Sequence, residues 1–255
     1  MGYYRQGPNR PYGSGTFGIP PVTRMVRALL IANVGVFLLQ WVVAISTGGD
    51  LIGAWLGVSP AGVARGMVWQ PLTYMFVHSV GLPFHIVFNM LILWMLGGEL
   101  ERYWGGAAFL RYYLVCGFGA GLAAILLGVL FGPSHVITIG ASGAIYGLIL
   151  AYGMLFGDRV MLFMLIFPMK ARTFSIVLFV IAVLYTFSPG SSNVSHVAHL
   201  GGMVTGFVYL KRAWRVGALW SELRWKLARR RFKVVDRDAP RAVSYTHLTL
   251  PTMRL

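Results

Sequence analysis

Three small groups of polar residues sit inside otherwise apolar stretches, where each could do chemistry. Gly140-Ala141-Ser142-Gly143 opens one apolar run, and Tyr146 follows Ser142 by four residues. A serine at the start of a helix keeps a reachable hydroxyl, and the first helical turn offers backbone N–H groups without intrahelical partners. Tyr146 then falls on the same helix face, one turn deeper. The second group is His199-Leu200-Gly201-Gly202, with Gly206 beyond it. Spacings of three and four put His199, Gly202 and Gly206 on one face, an imidazole at the end of a close-packing surface. The third is His85 with Asn89 four residues on, again one face, with His78 shortly before. Read singly, these are a helix cap, an interfacial histidine and an interhelical hydrogen-bonding pair. Read together, they are a hydroxyl nucleophile, an imidazole base and preplaced donors for an oxyanion, the parts that acyl transfer needs.

The elements that must carry these groups follow from composition. The chain has 255 residues, 57% apolar and 11% charged. A soluble domain carries about 25% charged residues, so a water-soluble globule and a disordered chain are both excluded for most of the length. Six apolar segments stand out, at about 26–46, 82–101, 107–131, 142–157, 171–187 and 197–214. They predict an all-α polytopic membrane protein with six transmembrane helices. The fourth is the shortest. Its 16 residues reach only about 24 Å, short of a ~30 Å hydrocarbon core, so its Ser142 end should start below the membrane surface.

Charge orients the bundle. The net charge is +15, but the basic residues lie between apolar runs and in the tail, which points to topology and anionic lipid rather than nucleic acid. Setting the C-terminal tail aside, nine basic residues fall on one side of the six segments and Arg65 alone on the other. This asymmetry predicts that both termini are cytoplasmic and puts all three polar groups at the outer ends of their spans. The outer 47–81 connection holds Trp55, Trp69, Tyr74 and Phe76, which suit anchors at the lipid interface. The run 160–168, stopped by Pro168, is too short to span and is expected to lie against the inner face. The predicted organisation is a flexible cytoplasmic N-terminus over 1–24, a membrane domain over 25–214 and a basic cytoplasmic tail over 215–242. The tail's Trp-containing stretch suits a helix lying on the inner leaflet. Residues 243–255 fit neither helix nor charge pattern. They resemble translated adapter read-through, and no function is assigned to them. The first 24 residues lack the apolar core of a cleavable signal peptide.

The acids limit the chemistry. Asp50, Glu99, Glu101, Asp158, Glu222, Asp236 and Asp238 are all there are. Glu99 and Glu101 fall at the inner end of the second segment, and Asp158 is about 24 Å from Ser142 along a helix. No carboxylate is placed to orient His199, so a Ser-His dyad is expected, with Tyr146 packing on the imidazole. His78, His85, His196 and His199 have no Asp, Glu or Cys to join them, so no metal site is expected. The single Cys116 cannot form an intrachain disulfide.

This set of motifs resembles the rhomboid intramembrane serine proteases. The resemblance covers about residues 25–212. It rests on His85-x-x-x-Asn89 in the second span, Gly140-x-Ser142-Gly143 opening the fourth, Tyr146 one turn below, and Ala198-His199-x-x-Gly202-x-x-x-Gly206 in the sixth. The form is similar to the basic six-span bacterial type. The family's common first-loop Trp-Arg pair is not present, although Trp55, Arg65 and Trp69 are. The resemblance implies a rhomboid-like bundle with Ser142 as nucleophile and His199 as general base, then acid. It implies an oxyanion-stabilising group made of Asn89, His85 and the Ser142 backbone N–H, with the 188–196 loop as cap and the fifth span as gate. It implies no cofactor, substrates that are single-span or other membrane proteins cut in or next to a transmembrane helix, and a bacterial inner membrane. The competing readings are a catalytically inactive relative that binds transmembrane helices, and a small transporter. The oligomeric state is not legible.

Overall fold

The computed structural model describes residues 21–131, 136–163, 167–186 and 196–212. The chain divides into two units, Met1–Arg212 and Ala213–Leu255, and all the described residues lie in the first. Most of the 188–196 loop, the 215–242 tail and residues 243–255 lie outside the described residues.

A helix forms at each of the six apolar segments. They are α1 (Arg24–Thr47), α5 (Phe84–Trp104), α6 (Gly106–Phe131), α7 (Ser142–Leu155), α8 (Ala171–Thr186) and α9 over 196–212. Between α1 and α5 the chain folds into short helices, α2 (Leu51–Leu56), α3 (Pro60–Ala64) and α4 (Gln70–Thr73), and one 3-10 turn (Tyr74–Phe76). Arg24–Thr47, Phe84–Trp104 and Gly106–Leu130 are long and apolar enough to cross a bilayer, while Ser142–Leu155 and Ala171–Thr186 are shorter apolar helices. The fold is that of an all-α membrane protein, and its outward-facing side chains are those of a lipid-facing surface. Ile31, Ile45, Leu126 and Val129 are each at least 60% exposed, a poor state in water and a favourable one in hydrocarbon.

The helices bury what their sequences suggest. α1 buries Val26, Leu29, Asn33 and Gln40, one narrow stripe at helical spacing. Its N-terminus is fixed by Glu101 of α5, whose carboxylate accepts from the Thr23 hydroxyl and from the Met25 and Val26 N–H groups. A buried carboxylate is costly unless paired. Here it satisfies backbone donors that a helix start leaves open. α7 is buried on every side, with Gly143, Ala144, Ile145, Gly147, Leu148, Ile149 and Ala151 all inside. It is the bundle's central helix, packed against α5, α6 and α8.

At either end of the run 160–168, β1 (Val160–Phe163) pairs antiparallel with β2 (Phe167–Lys170), with Val160 opposite Lys170. Their Val, Met and Phe suit strands, and Pro168 sits in a short two-stranded edge that tolerates it. Tyr74 is not an interfacial anchor. It is 1% exposed, and its hydroxyl donates to Gly117 O of α6 at 2.8 Å. Trp55 and Trp69 do face outward, with ring centroids 5.4 Å apart.

Candidate active site

Ser142 is placed by the strand-like segment in front of it. Val58 and Thr138 exchange two backbone hydrogen bonds, at 2.9 and 2.8 Å, which tie residues 137–139 to the first connection. Gly140 N then donates to Tyr74 O at 3.0 Å. Gly140 has φ +115°, a region only glycine enters without strain. That turn starts α7 at Ser142. No side-chain cap bonds the start of this helix, so its first-turn N–H groups lack intrahelical partners beside Ser142.

His199 reaches Ser142 because α7 and α9 nearly touch. A Cβ on Gly202 would collide with the carbonyl of Gly143, and one on Gly147 would lie 2.5 Å from Cys116 Sγ and 3.3 Å from Gly202 O. Gly206 lets α9 pass the Tyr112 hydroxyl, which donates to Gly147 O at 2.8 Å. With these surfaces in contact, His199 Nε2 and Ser142 Oγ are hydrogen-bonded at 2.7 Å across 57 residues of sequence. The Tyr146 ring lies parallel to the imidazole, centroids 4.2 Å apart and planes within 1°. Nδ1 of His199 is buried, with no hydrogen-bond partner among the described residues. The described acids are engaged elsewhere. Glu99 accepts from Tyr152 and Arg159, Asp50 from Gln40 and Gly53 N, and Asp158 faces Lys170 and Arg172.

The third group stands on the other side of Gly140. A Cβ there would lie 2.9 Å from His85 Nε2 and 3.7 Å from Ser142 Oγ. The bare glycine therefore separates the imidazole of His85 from the serine hydroxyl by little more than one carbon's width. Asn89, 6% exposed, donates from Nδ2 to His85 O at 2.7 Å and so is held one turn below it. Sequence alone did not show the residues that hold this arrangement. His78 is fully buried and meets His85 edge-on, centroids 5.3 Å apart. Its backbone N–H donates to Gln40 Oε1 at 3.2 Å, and Gln40 Nε2 donates to Asp50 Oδ2 at 2.6 Å. His196 packs edge-on against His199 at 5.8 Å and stacks on Tyr185 at 4.9 Å. Glutamine within the apolar α1 was the available signal for the first of these. Among the described residues no cluster of three or more His, Cys, Asp or Glu could hold a metal ion.

A helical membrane protein with a serine and an imidazole in contact at one end of its central helix is thus defined. The Rhomboid domain family matches residues 65–215, and the chain belongs to the rhomboid family. It is 34% identical over 152 residues to the putative rhomboid protease YdcA of Bacillus subtilis (strain 168), covering 58% of this chain and 68% of that protein. It is 32% identical over 148 residues to the rhomboid protease GluP of the same organism, covering 57% of this chain and 26% of that protein. It is 30% identical over 189 residues to the rhomboid protease GlpG of Serratia proteamaculans (strain 568), covering 74% of this chain and 61% of that protein. The matched region is thus about a quarter of the length of GluP and about two thirds of the other two.

Proposed function

We propose that this protein is an intramembrane serine endopeptidase that uses Ser142 and His199 as a dyad. The observation that carries the reading is the 2.7 Å contact between His199 Nε2 and Ser142 Oγ. In this reading Ser142 Oγ attacks the scissile carbonyl carbon while Nε2 takes its proton. The negative charge on the carbonyl oxygen meets the Ser142 N–H and the side chains of His85 and Asn89. His199 passes the proton to the leaving amine, and the peptide bond breaks to leave an acyl-enzyme. A water activated by the same imidazole then resolves it. Tyr146 restricts the ring plane, the work a carboxylate does in a triad. Gly140 leaves room for the carbonyl between His85 and Ser142, and Gly143, Gly202 and Gly206 set the helix approach.

The substrates are membrane proteins, cut in or next to a transmembrane helix. A helical backbone hides its carbonyls, so the bond to be cut must lie in a segment that unwinds readily. Six spans over 25–214, cytoplasmic termini, a basic tail over 215–242 and a site opening to the outer side of a bacterial inner membrane complete the reading. It is supported by the basic-residue asymmetry of the sequence.

The test is reconstitution of the full chain in liposomes with a labelled single-span substrate, alongside the Ser142→Ala variant and a serine-directed fluorophosphonate. Cleavage and labelling by the parent alone supports the reading. Equal cleavage by both removes Ser142 from the mechanism. Neither cleavage nor labelling by the folded parent returns the chain to a helix-binding module.

A further inference from the structure

α7, α8 and α9 enclose a second feature at the end away from Ser142. A crevice of about 360 Å³ opens between them, lined by Leu150, Ser175, Ile176, Phe179, Met203 and Phe207 among others. Leu150 is eight residues beyond Ser142 and Phe207 eight beyond His199, each about 12 Å further along its helix. The crevice is therefore separate from the serine–histidine pair. It opens sideways, since Ile176 is 55% and Phe207 40% exposed. Its walls are almost wholly apolar, but its lip is not. Lys211, one turn past Phe207, holds its Nζ 4.9 Å from the Phe207 ring centroid. The neighbouring cations Lys170 and Arg172 share Asp158, at 3.8 and 3.9 Å. Lys211 meets no carboxylate among the described residues.

We infer that this crevice is a binding site for an anionic phospholipid, one acyl chain between α8 and α9 and the phosphate at Lys211. Shape narrows the occupant: the crevice opens sideways between α8 and α9, with apolar walls and one cation at its lip, which suits a single acyl chain ending in a phosphate. Charge selects the head. An ammonium at the lip of an apolar slot is matched by a phosphate whose charge a zwitterionic headgroup does not offset, and the Lys211 ammonium stands over the ring of Phe207, one of the lining residues.

The test is native mass spectrometry of the full chain in detergent, titrated with phosphatidylglycerol and with phosphatidylcholine of the same acyl chains. The first phosphatidylglycerol should bind about fivefold tighter than phosphatidylcholine, the contribution of one basic residue at a headgroup. Lys211→Gln should remove that preference, Lys211→Arg should keep it, and Lys226→Gln in the basic tail should leave it unchanged. Ile176→Trp, which fills the crevice, should weaken both lipids together, with melting temperature as the control for folding. Equal binding of the two lipids to the parent overturns the inference. So does a preference that survives Lys211→Gln or is lost equally with Lys226→Gln, or displacement of the first lipid by a single-span peptide at one-to-one stoichiometry. None of these readouts depends on proteolysis, so they stand apart from the test of the dyad.

Discussion

The ring of Tyr146 lies flat against the imidazole of His199, with centroids 4.2 Å apart and planes within 1°. Both side chains are partly buried, and His199 Nδ1 receives no carboxylate among the described residues. In the proposed mechanism the aromatic face takes the place of a hydrogen-bonded acid, limiting rotation of the imidazole so that Nε2 stays on Ser142 Oγ. Tyr146→Phe retains the ring and is expected to keep kcat within a few-fold of the parent. Tyr146→Ala frees the imidazole and is expected to lower kcat by about 100-fold, the cost of a ~1 Å misplacement. KM should change little in either variant, and steady-state kinetics in liposomes separates the two parameters.

Ser142 and His199 act as a unit in the proposed mechanism, so their losses should not add. Ser142→Ala and His199→Ala are each expected to reduce cleavage to background. The double variant should be no worse than either single one. A double-mutant cycle on kcat/KM checks this. Additive losses would mean that the two residues act in separate steps.

The close approach of α7 and α9 depends on Gly202, where a Cβ would collide with the Gly143 carbonyl. A backbone atom cannot yield as a flexible side chain can. Gly202→Ala is expected to destabilise the bundle by ~1–3 kcal/mol, the usual cost of overpacking, and to pull His199 away from Ser142. Thermal unfolding in detergent and fluorophosphonate labelling should therefore fall together. Gly201→Ala, against the side chain of Ala123 and the Ala120 backbone on the α6 side, should lower stability with less effect on labelling.

Gly140 combines φ +115° with a Cβ position 2.9 Å from the His85 ring. Gly140→Ala strains the backbone and displaces His85 at once. Labelling of Ser142 is expected to fall at least ~10-fold, in line with the cost of misplacing an oxyanion donor. The melting temperature should also drop. Unchanged labelling would exclude His85 from the oxyanion group.

His78, in the connection before α5, carries a pH dependence of stability. Burial holds its imidazole down at about 4, against an ordinary 6.5, and the charge of His85 pushes the same way. The folded state therefore favours neutral His78, while the unfolded chain takes up a proton below about 6.5. Stability from this group is complete above that pH and declines as pH falls towards about 4. Melting temperatures measured between these limits should fall with pH, and His78→Gln should flatten the decline.

Much of this protein follows from its sequence because a bilayer imposes simple rules. An apolar run placed in hydrocarbon must satisfy its backbone internally, so a helix forms at each of the six segments, the last being described as far as residue 212. Helical spacing put His199, Gly202 and Gly206 on one face and Ser142 above Tyr146, since those relations depend only on 3.6 residues per turn. The acid inventory led to the expectation of no carboxylate behind His199, and His199 Nδ1 meets none among the described residues. Tertiary structure decided what depends on contacts between distant segments. It brought Ser142 and His199 to 2.7 Å, where glycine spacing had indicated only that two helices can approach closely. It moved Tyr74 from the interface to the core, because its hydroxyl finds Gly117 O and its carbonyl finds Gly140 N. It buried His78 against His85 and bound its backbone to Gln40. No local pattern encodes these contacts. They arise when a buried polar group must find its partner wherever the packed chain has left one.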